Sequence, residues 1–125
     1  MYLLDTNILL EILLGQEKSD QCEHFLNSNL GRLTISDFSL HSIGVILYRN
    51  KRQDVFYMFA SEVLERIPVY NLPVDMYTSI FDYSRITGLD FDDTYQCLIA
   101  KSFDLKIVTM DKDFIKAIDV QVDYL

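Results

Sequence analysis

Five short runs of apolar and β-branched residues recur along the chain: "MYLLD", "RLTIS", "IPVYN", "KIVTM" and "VQVDYL". Each is too short for a helix and is bounded by polar or turn residues, so each reads as a strand. Between them lie longer stretches with helical spacing: "QEKSDQCEHFLNSNLG", "DFSLHSIGVILYRN", "RQDVFYMFASEVLER", "PVDMYTSIFDYSRITG" and "DDTYQCLIAKSFD". Strands separated by helical segments predict a mostly parallel sheet of about five strands with helices on both faces. Gly31 and Gly88 stand where helices should end, and Pro73 where one should make its first turn. No linker, repeat or low-complexity tract interrupts the pattern, and 125 residues suffice for one core. The expectation is a single α/β domain of three layers, α/β/α, over residues 1–125.

In open α/β sheets ligands gather at the carboxyl ends of strands, so acids at those ends carry the functional question. The first lies in "MYLLDTNILLEILLG", where an apolar run stops at Asp5, Thr6 and Asn7 and then resumes at once. Asp5 closes the first strand, and Asn7 either caps the following helix or hydrogen-bonds the carboxylate. Asp, Thr and Asn are favoured cap residues, so "DTN" alone is a weak signal.

A second acidic group, Asp92 and Asp93, precedes the helix whose apolar face includes Tyr95, Leu98, Ile99 and Phe103. Carboxylates at a helix N-terminus gain roughly 0.3–1 kcal/mol from the macrodipole, which one acid would satisfy. Adjacent helical residues point about 100° apart, so at most one of the two should face a shared cleft. A third group follows the strand in "KIVTMDKDF": Thr109 can donate its hydroxyl to a carboxylate, and Asp111 falls where the chain leaves the sheet. Asp113, with Lys112 and Lys116 nearby, reads as a solvated loop residue.

Three acids converging at one sheet edge repel one another and stay ionised only if a cation compensates them. Oxygen ligands of this kind suit Mg²⁺ or Mn²⁺. Two such ions about 3.5–4 Å apart would serve both the attacking water and the leaving oxygen of a phosphodiester. The formal net charge of -8 points the same way. It argues against holding nucleic acid mainly by neutralising phosphates, and it suits either a basic protein partner or carboxylates balanced by cations.

Taken together, "LLDTNILL" and "DDTYQCLIAKSFDLKIVTMDKDF" resemble a PIN domain, in an order and separation that span the chain from its first strand to its last. The resemblance implies a small α/β/α fold and metal-dependent ribonuclease activity. Many small bacterial members are toxins held inactive by an antitoxin, and small PIN proteins commonly dimerise. Carried over by position, Asp5, Asp93 and Asp111 match the metal-holding acids, with Asp93 preferred to Asp92 on register. Asn7 and Thr109 match the polar residues that accompany those acids, and Asp113 a less essential companion. The chain departs from the family in "TISDFSLHSIGVILYR", where a glutamate usually sits on the helix after the second strand and Ser42 stands instead. A serine hydroxyl can hold water but brings no charge. The two readings are therefore a Mg²⁺- or Mn²⁺-dependent endoribonuclease acting on RNA, and a PIN-like binding module with weak or lost catalysis. Asp37 is a substitute acid, placed more than a helical turn away.

The remaining features carry less. His41, on a helix beside Leu40, Ile43 and Leu47, reads as structural rather than catalytic, and His24 has less support still. Arg49, Lys51 and Arg52 form the densest basic patch, read as a solvated connection that would seat an RNA backbone if it bordered the acids. The aromatic residues, 13% of the chain, sit mostly at helical spacing and read as core. A receiver-like phosphoacceptor domain ranks below both readings, because Lys112 is poorly placed for it. No apolar stretch reaches the roughly 20 residues of a membrane span, and the opening run carries Asp5 and Glu11 with no basic region before it. Cys22 and Cys97 lack paired spacing and read as free thiols in a reducing cytoplasm.

Overall fold

The computed structural model describes residues 1–125, and every expected strand forms. These are β1 (Tyr2–Leu4), β2 (Leu33–Ser36), β3 (Val69–Tyr70), β4 (Lys106–Thr109) and β5 (Val122–Tyr124). They make one sheet in the order β3-β2-β1-β4-β5, and every pairing is parallel. The chain builds outward from β1 to β2 and β3, then returns to lay β4 and β5 on the other side. The strand order therefore reverses between β1 and β4, where Leu4 pairs with Val108. Parallel α/β sheets open a crevice at such a point, beyond the carboxyl ends of the two strands.

Alternation along β1 and β4 divides the core in two, because successive side chains point to opposite faces. Leu3 and Ile107 enter one apolar cluster, Leu4 and Val108 the other. The Leu4 side is covered by α1 (Thr6–Leu13), α2 (Ser19–Ser28), α3 (Asp37–Arg49) and α4 (Gln53–Met58), through Ile8, Leu9, Cys22, Ile43 and Leu47 among others. The Leu3 side is covered by α5 (Ser79–Thr87) and α6 (Phe91–Phe103), through Ile80, Cys97, Leu98 and Ile99. These are the three expected layers. Cys22 and Cys97 are buried and unpaired, and no helix is long and apolar enough to cross a membrane.

The helical stretches differ in detail from their sequence pattern. "RQDVFYMFASEVLER" is not one regular helix: α4 widens into a π-helical turn over Phe59–Val63, with Leu64 N–H donating to Phe59 C=O. The extra residue in that turn accompanies complete burial of Phe59. Pro73 precedes a short 3₁₀ turn (Val74–Met76) rather than opening α5. Gly88 does end α5, in the left-handed conformation at φ 78°, whereas α2 ends before Gly31, which turns the chain toward β2 at φ 83°.

Ile43 and Ile99 are fully buried in different clusters on opposite faces of the sheet. Ile43→Ala and Ile99→Ala are each expected to lower the unfolding free energy by roughly 2–5 kcal/mol in urea titration. With the sheet between them, the double variant should equal their sum within about 0.5 kcal/mol.

Candidate active site

Asp5 follows the last residue of β1 and is the N-cap of α1, so one backbone turn positions it at the crevice. Its Oδ1 accepts the Thr6 N–H at 2.8 Å, and its Oδ2 accepts the Thr109 hydroxyl at 2.7 Å. Thr109, fully buried at the end of β4, also accepts the Asp111 N–H at 2.9 Å. One hydroxyl thus ties the acid after β1 to the acid after β4. Asn7 adds a second tie, its Oδ1 accepting the Met110 N–H at 3.4 Å. It does not cap the helix, since Asp5 does. Asp5 is only 9% exposed, and burial pushes its carboxyl above the usual range against the pull of Thr109, the Thr6 N–H and Gln96.

From the other layer, α6 brings Asp93. Its cap is Asp90, whose Oδ1 accepts the Asp93 N–H at 2.9 Å. Asp92 and Asp93 are therefore both inside the first turn, and neither is needed as a cap. Asp92, Asp93, Asp5, Asn7, Ser42 and Asp111 line one pocket of about 300 Å³, closed on its apolar side by Leu10, Phe38 and Ile46. The expectation that only one of Asp92 and Asp93 would reach the cleft does not hold, because the pocket mouth is broad enough to take the exposed Asp92 as well.

The tightest acidic group is Asp93, Asp111 and Asp113, each offering an oxygen within 4.8 Å of the others. Asp113 is exposed, as a loop residue should be, yet the turn after β4 curls it back so that its N–H meets Asp111 Oδ1 at 2.9 Å. Asp5 lies outside this trio, with both its oxygens already hydrogen-bonded. Burial, then the charges of Asp90, Asp5, Asp111 and Asp113, raises the Asp93 carboxyl to about 7. No lysine or arginine lines the pocket, so nothing in the chain offsets this charge there. A cluster of carboxylate oxygens without a protein cation fits a hard divalent ion such as Mg²⁺ or Mn²⁺.

Beneath the acids lies a polar hub that sequence reasoning missed. Buried Ser39 Oγ accepts from Thr6 Oγ1 and Gln96 Nε2, each at 2.9 Å, while its N–H donates to the Ser36 hydroxyl that caps α3. The hub joins α1, α3 and α6. The available signal was Gln96, a polar residue in the otherwise apolar face of "TYQCLIAK", three residues after Asp93. Gln96 Oε1 is buried with no protein partner.

Other expected residues lie elsewhere. Asp37 accepts the Tyr95 hydroxyl at 2.7 Å and borders two neighbouring cavities, not the acidic pocket. His41 lines the same two cavities and is exposed rather than packed, and His24 is exposed on α2. Arg49, Lys51 and Arg52 are exposed where α3 gives way to α4. Residues 42 and 49 share a face of α3, about 10 Å apart along its axis, and Arg49 lines the cavity of Leu40, His41 and Phe56 rather than the acidic pocket.

Residues 2–119 match the PIN domain family. The chain belongs to it. No curated protein matches the sequence, but solved structures share the fold. A DNA-bound VapBC from Salmonella typhimurium superposes at TM-score 0.82 with 17% identity, over 98% of this chain and 96% of that one. VapC20 from Mycobacterium tuberculosis, a toxin that cleaves the sarcin-ricin loop, gives 0.79 at 14%, over 97% and 99%. FitAcB from Neisseria gonorrhoeae gives 0.75 at 25%, over 98% and 96%. PIN membership supports a nuclease, a hydrolase class that generally uses divalent metal, and the acidic trio accords with it.

Asp93 holds a proton in the folded chain that the unfolded chain has lost, over the window between its usual 3.8 and about 7. Folding thus binds protons there, and the metal-free protein should lose stability as pH rises through that window. The expected result is a Tm that falls between pH 5 and pH 8 without metal, a slope flattened by Asp93→Asn, and recovery at pH 8 on adding Mn²⁺.

Proposed function

We propose that this PIN domain is a Mg²⁺- or Mn²⁺-dependent endoribonuclease that hydrolyses RNA phosphodiesters as the toxin of a toxin-antitoxin pair. The observation that carries the reading is the convergence of acids from β1, β4 and α6 in one pocket with no cation of the chain's own. Asp93 and Asp111 are the metal-holding residues, joined by Asp113 and by Asp5, which Thr109 ties to the backbone at Asp111. A bound divalent ion would supply Lewis-acid activation of water and stabilisation of charge on the phosphate. The chain's own contribution is orientation. Thr109 fixes the carboxylate of Asp5 and the backbone at Asp111, and Asn7 fixes the strand exit at Met110. Ser42 faces the same space as a neutral group able to hold water.

The substrate and partner follow from charge and from kinship. The basic end of α3 would guide an RNA backbone toward the acids. Two proteins of similar structure, a toxin-antitoxin complex from Klebsiella pneumoniae and the sarcin-ricin loop cleaving toxin VapC20, favour an RNA target and an antitoxin partner here. A homodimer also accords with the family. The unpaired buried thiols suit a cytoplasmic protein.

Purified protein should cut single-stranded RNA only with Mg²⁺ or Mn²⁺ present. Asp93→Asn, Asp111→Asn or Asp5→Asn should reduce the rate by at least about 100-fold, as loss of one key electrostatic group does. Cleavage that persists in chelator and in all three variants would remove the proposal.

A second reading is favoured by Ser42, which lines the pocket without the carboxylate the family usually places there. On that reading the chain is a dimmed nuclease that acts mainly by binding. Ser42→Glu separates the two. Strong activation marks a weakened enzyme, and an unchanged or lower rate marks a site already complete with its serine.

A further inference from the structure

We propose that the aromatic cleft beside the acidic pocket seats a guanine base of the bound RNA, with Asp37 reading its edge, an inference that rests on the nuclease reading above. The cleft, about 430 Å³, is lined by Asp37, Phe38, His41, Tyr77, Phe91 and Tyr95. It adjoins the acidic pocket, and Phe38 lines both. Helix α6 likewise serves both, giving Phe91 to the cleft and Asp93 to the pocket. A base in the cleft thus belongs to a nucleotide next to the phosphate held by the acids.

The rings suit a planar guest. Phe91 is 56% and Tyr77 44% exposed, large aromatic surface left open beside a charged site. Phe91 and Tyr95 lie near-parallel, at 18°, while Phe38 and Tyr77 approach Tyr95 edge-on. Stacking on such rings holds any base, so it explains affinity and not choice.

Choice comes from Asp37. Its Oδ1 accepts both the Phe38 N–H at 2.8 Å and the Tyr95 hydroxyl at 2.7 Å, while Oδ2 accepts nothing from the protein. The Tyr95 oxygen in turn accepts the Leu72 N–H at 3.2 Å, which commits its proton to Asp37. The carboxylate is therefore held in one orientation with a free acceptor. A carboxylate accepts only, so it selects an edge made of donors. Guanine alone carries two adjacent donors, N1–H and the 2-amino group, close enough together to fork onto the one free oxygen Oδ2. Adenine and cytosine place an acceptor nitrogen beside their amino group, and uracil flanks its N3–H with carbonyls.

The test has a binding arm and a cleavage arm. In the first, the protein with Mg²⁺ is titrated with GMP, AMP, CMP and UMP and followed by NMR. GMP should bind at least about fivefold tighter than the others and shift the Phe38, Tyr77 and Phe91 signals. Phe91→Ala should weaken all four about tenfold. Asp37→Asn, whose side-chain oxygen still accepts from Phe38 and Tyr95 and so preserves the fold, should abolish the preference. In the second arm, cuts in random single-stranded RNA with Mn²⁺ should fall beside guanine, with Asp37→Asn scattering them and acting on KM rather than kcat. If the protein cuts no RNA the nuclease reading fails, and the nucleotide titration still decides the base site. Equal binding of the four nucleotides, or a guanine preference that survives Asp37→Asn, overturns the proposal. So does a dimer that Phe91→Ala splits in sedimentation with nucleotide binding unchanged, which would assign the cleft to a second copy.

Discussion

Repulsion among carboxylates is the constraint around which the carboxyl edge of the sheet is built. Asp93, Asp111 and Asp113 bring oxygens within 4.8 Å of one another, with Asp5 lining the pocket beside them and no basic side chain in its lining. Left to itself such a group would spread apart or take up protons, and the carboxyls of Asp5 and Asp93 are raised by burial first and by the neighbouring acids second. What holds it together is a set of short hydrogen bonds to groups that cannot move, above all the Thr109 hydroxyl between β1 and β4. Such a chain presents a concentrated negative site suited to a small cation, which is what the proposed metal-dependent hydrolysis requires.

The scaffold explains why the strain is tolerated. β1 and β4 are buried on both faces, with Leu3, Leu4, Ile107 and Val108 all fully enclosed. Asp5 sits one residue beyond β1 and Asp111 two beyond β4, so their backbone inherits the rigidity of the sheet. Below them, Ser39 couples α1, α3 and α6 through Thr6 and Gln96. A shift of any of these helices would disturb the pocket, and the hydrogen-bonded hub resists such shifts.

The charge of the molecule and the charge of the proposed RNA substrate are reconciled by distance. With a net charge of -8 the surface as a whole repels a phosphate backbone. The exposed Arg49, about 10 Å from Ser42 along α3 by helical rise, and Lys51 and Arg52 in the turn that follows all lie outside the acidic pocket. Basic guidance and acidic chemistry can thus coexist on one face. Ser42 lines the acidic pocket as a neutral group and adds no carboxylate to it.

The sequence by itself determined the layers and two of the anchor points. Five β-rich runs and the helical periods between them were enough for a parallel sheet, because burial on both faces imposes a pattern that survives without any partner. Asp5 and Asp111 were legible as strand-end acids for the same local reason. Tertiary structure alone decided the rest. Asp113 enters the acidic trio only because the turn after β4 bends back on Asp111, and Asp92 joins only because the pocket mouth is broad. Asp37 turns to Tyr95, fifty-eight residues distant, rather than to the acids. Ser39 and Gln96 become a hub across the sheet edge through a contact that spans fifty-seven residues. Periodicity records which face a residue presents, but which side chains meet across that face depends on how strands cross over and where helices end, and those are settled by packing between distant parts of the chain.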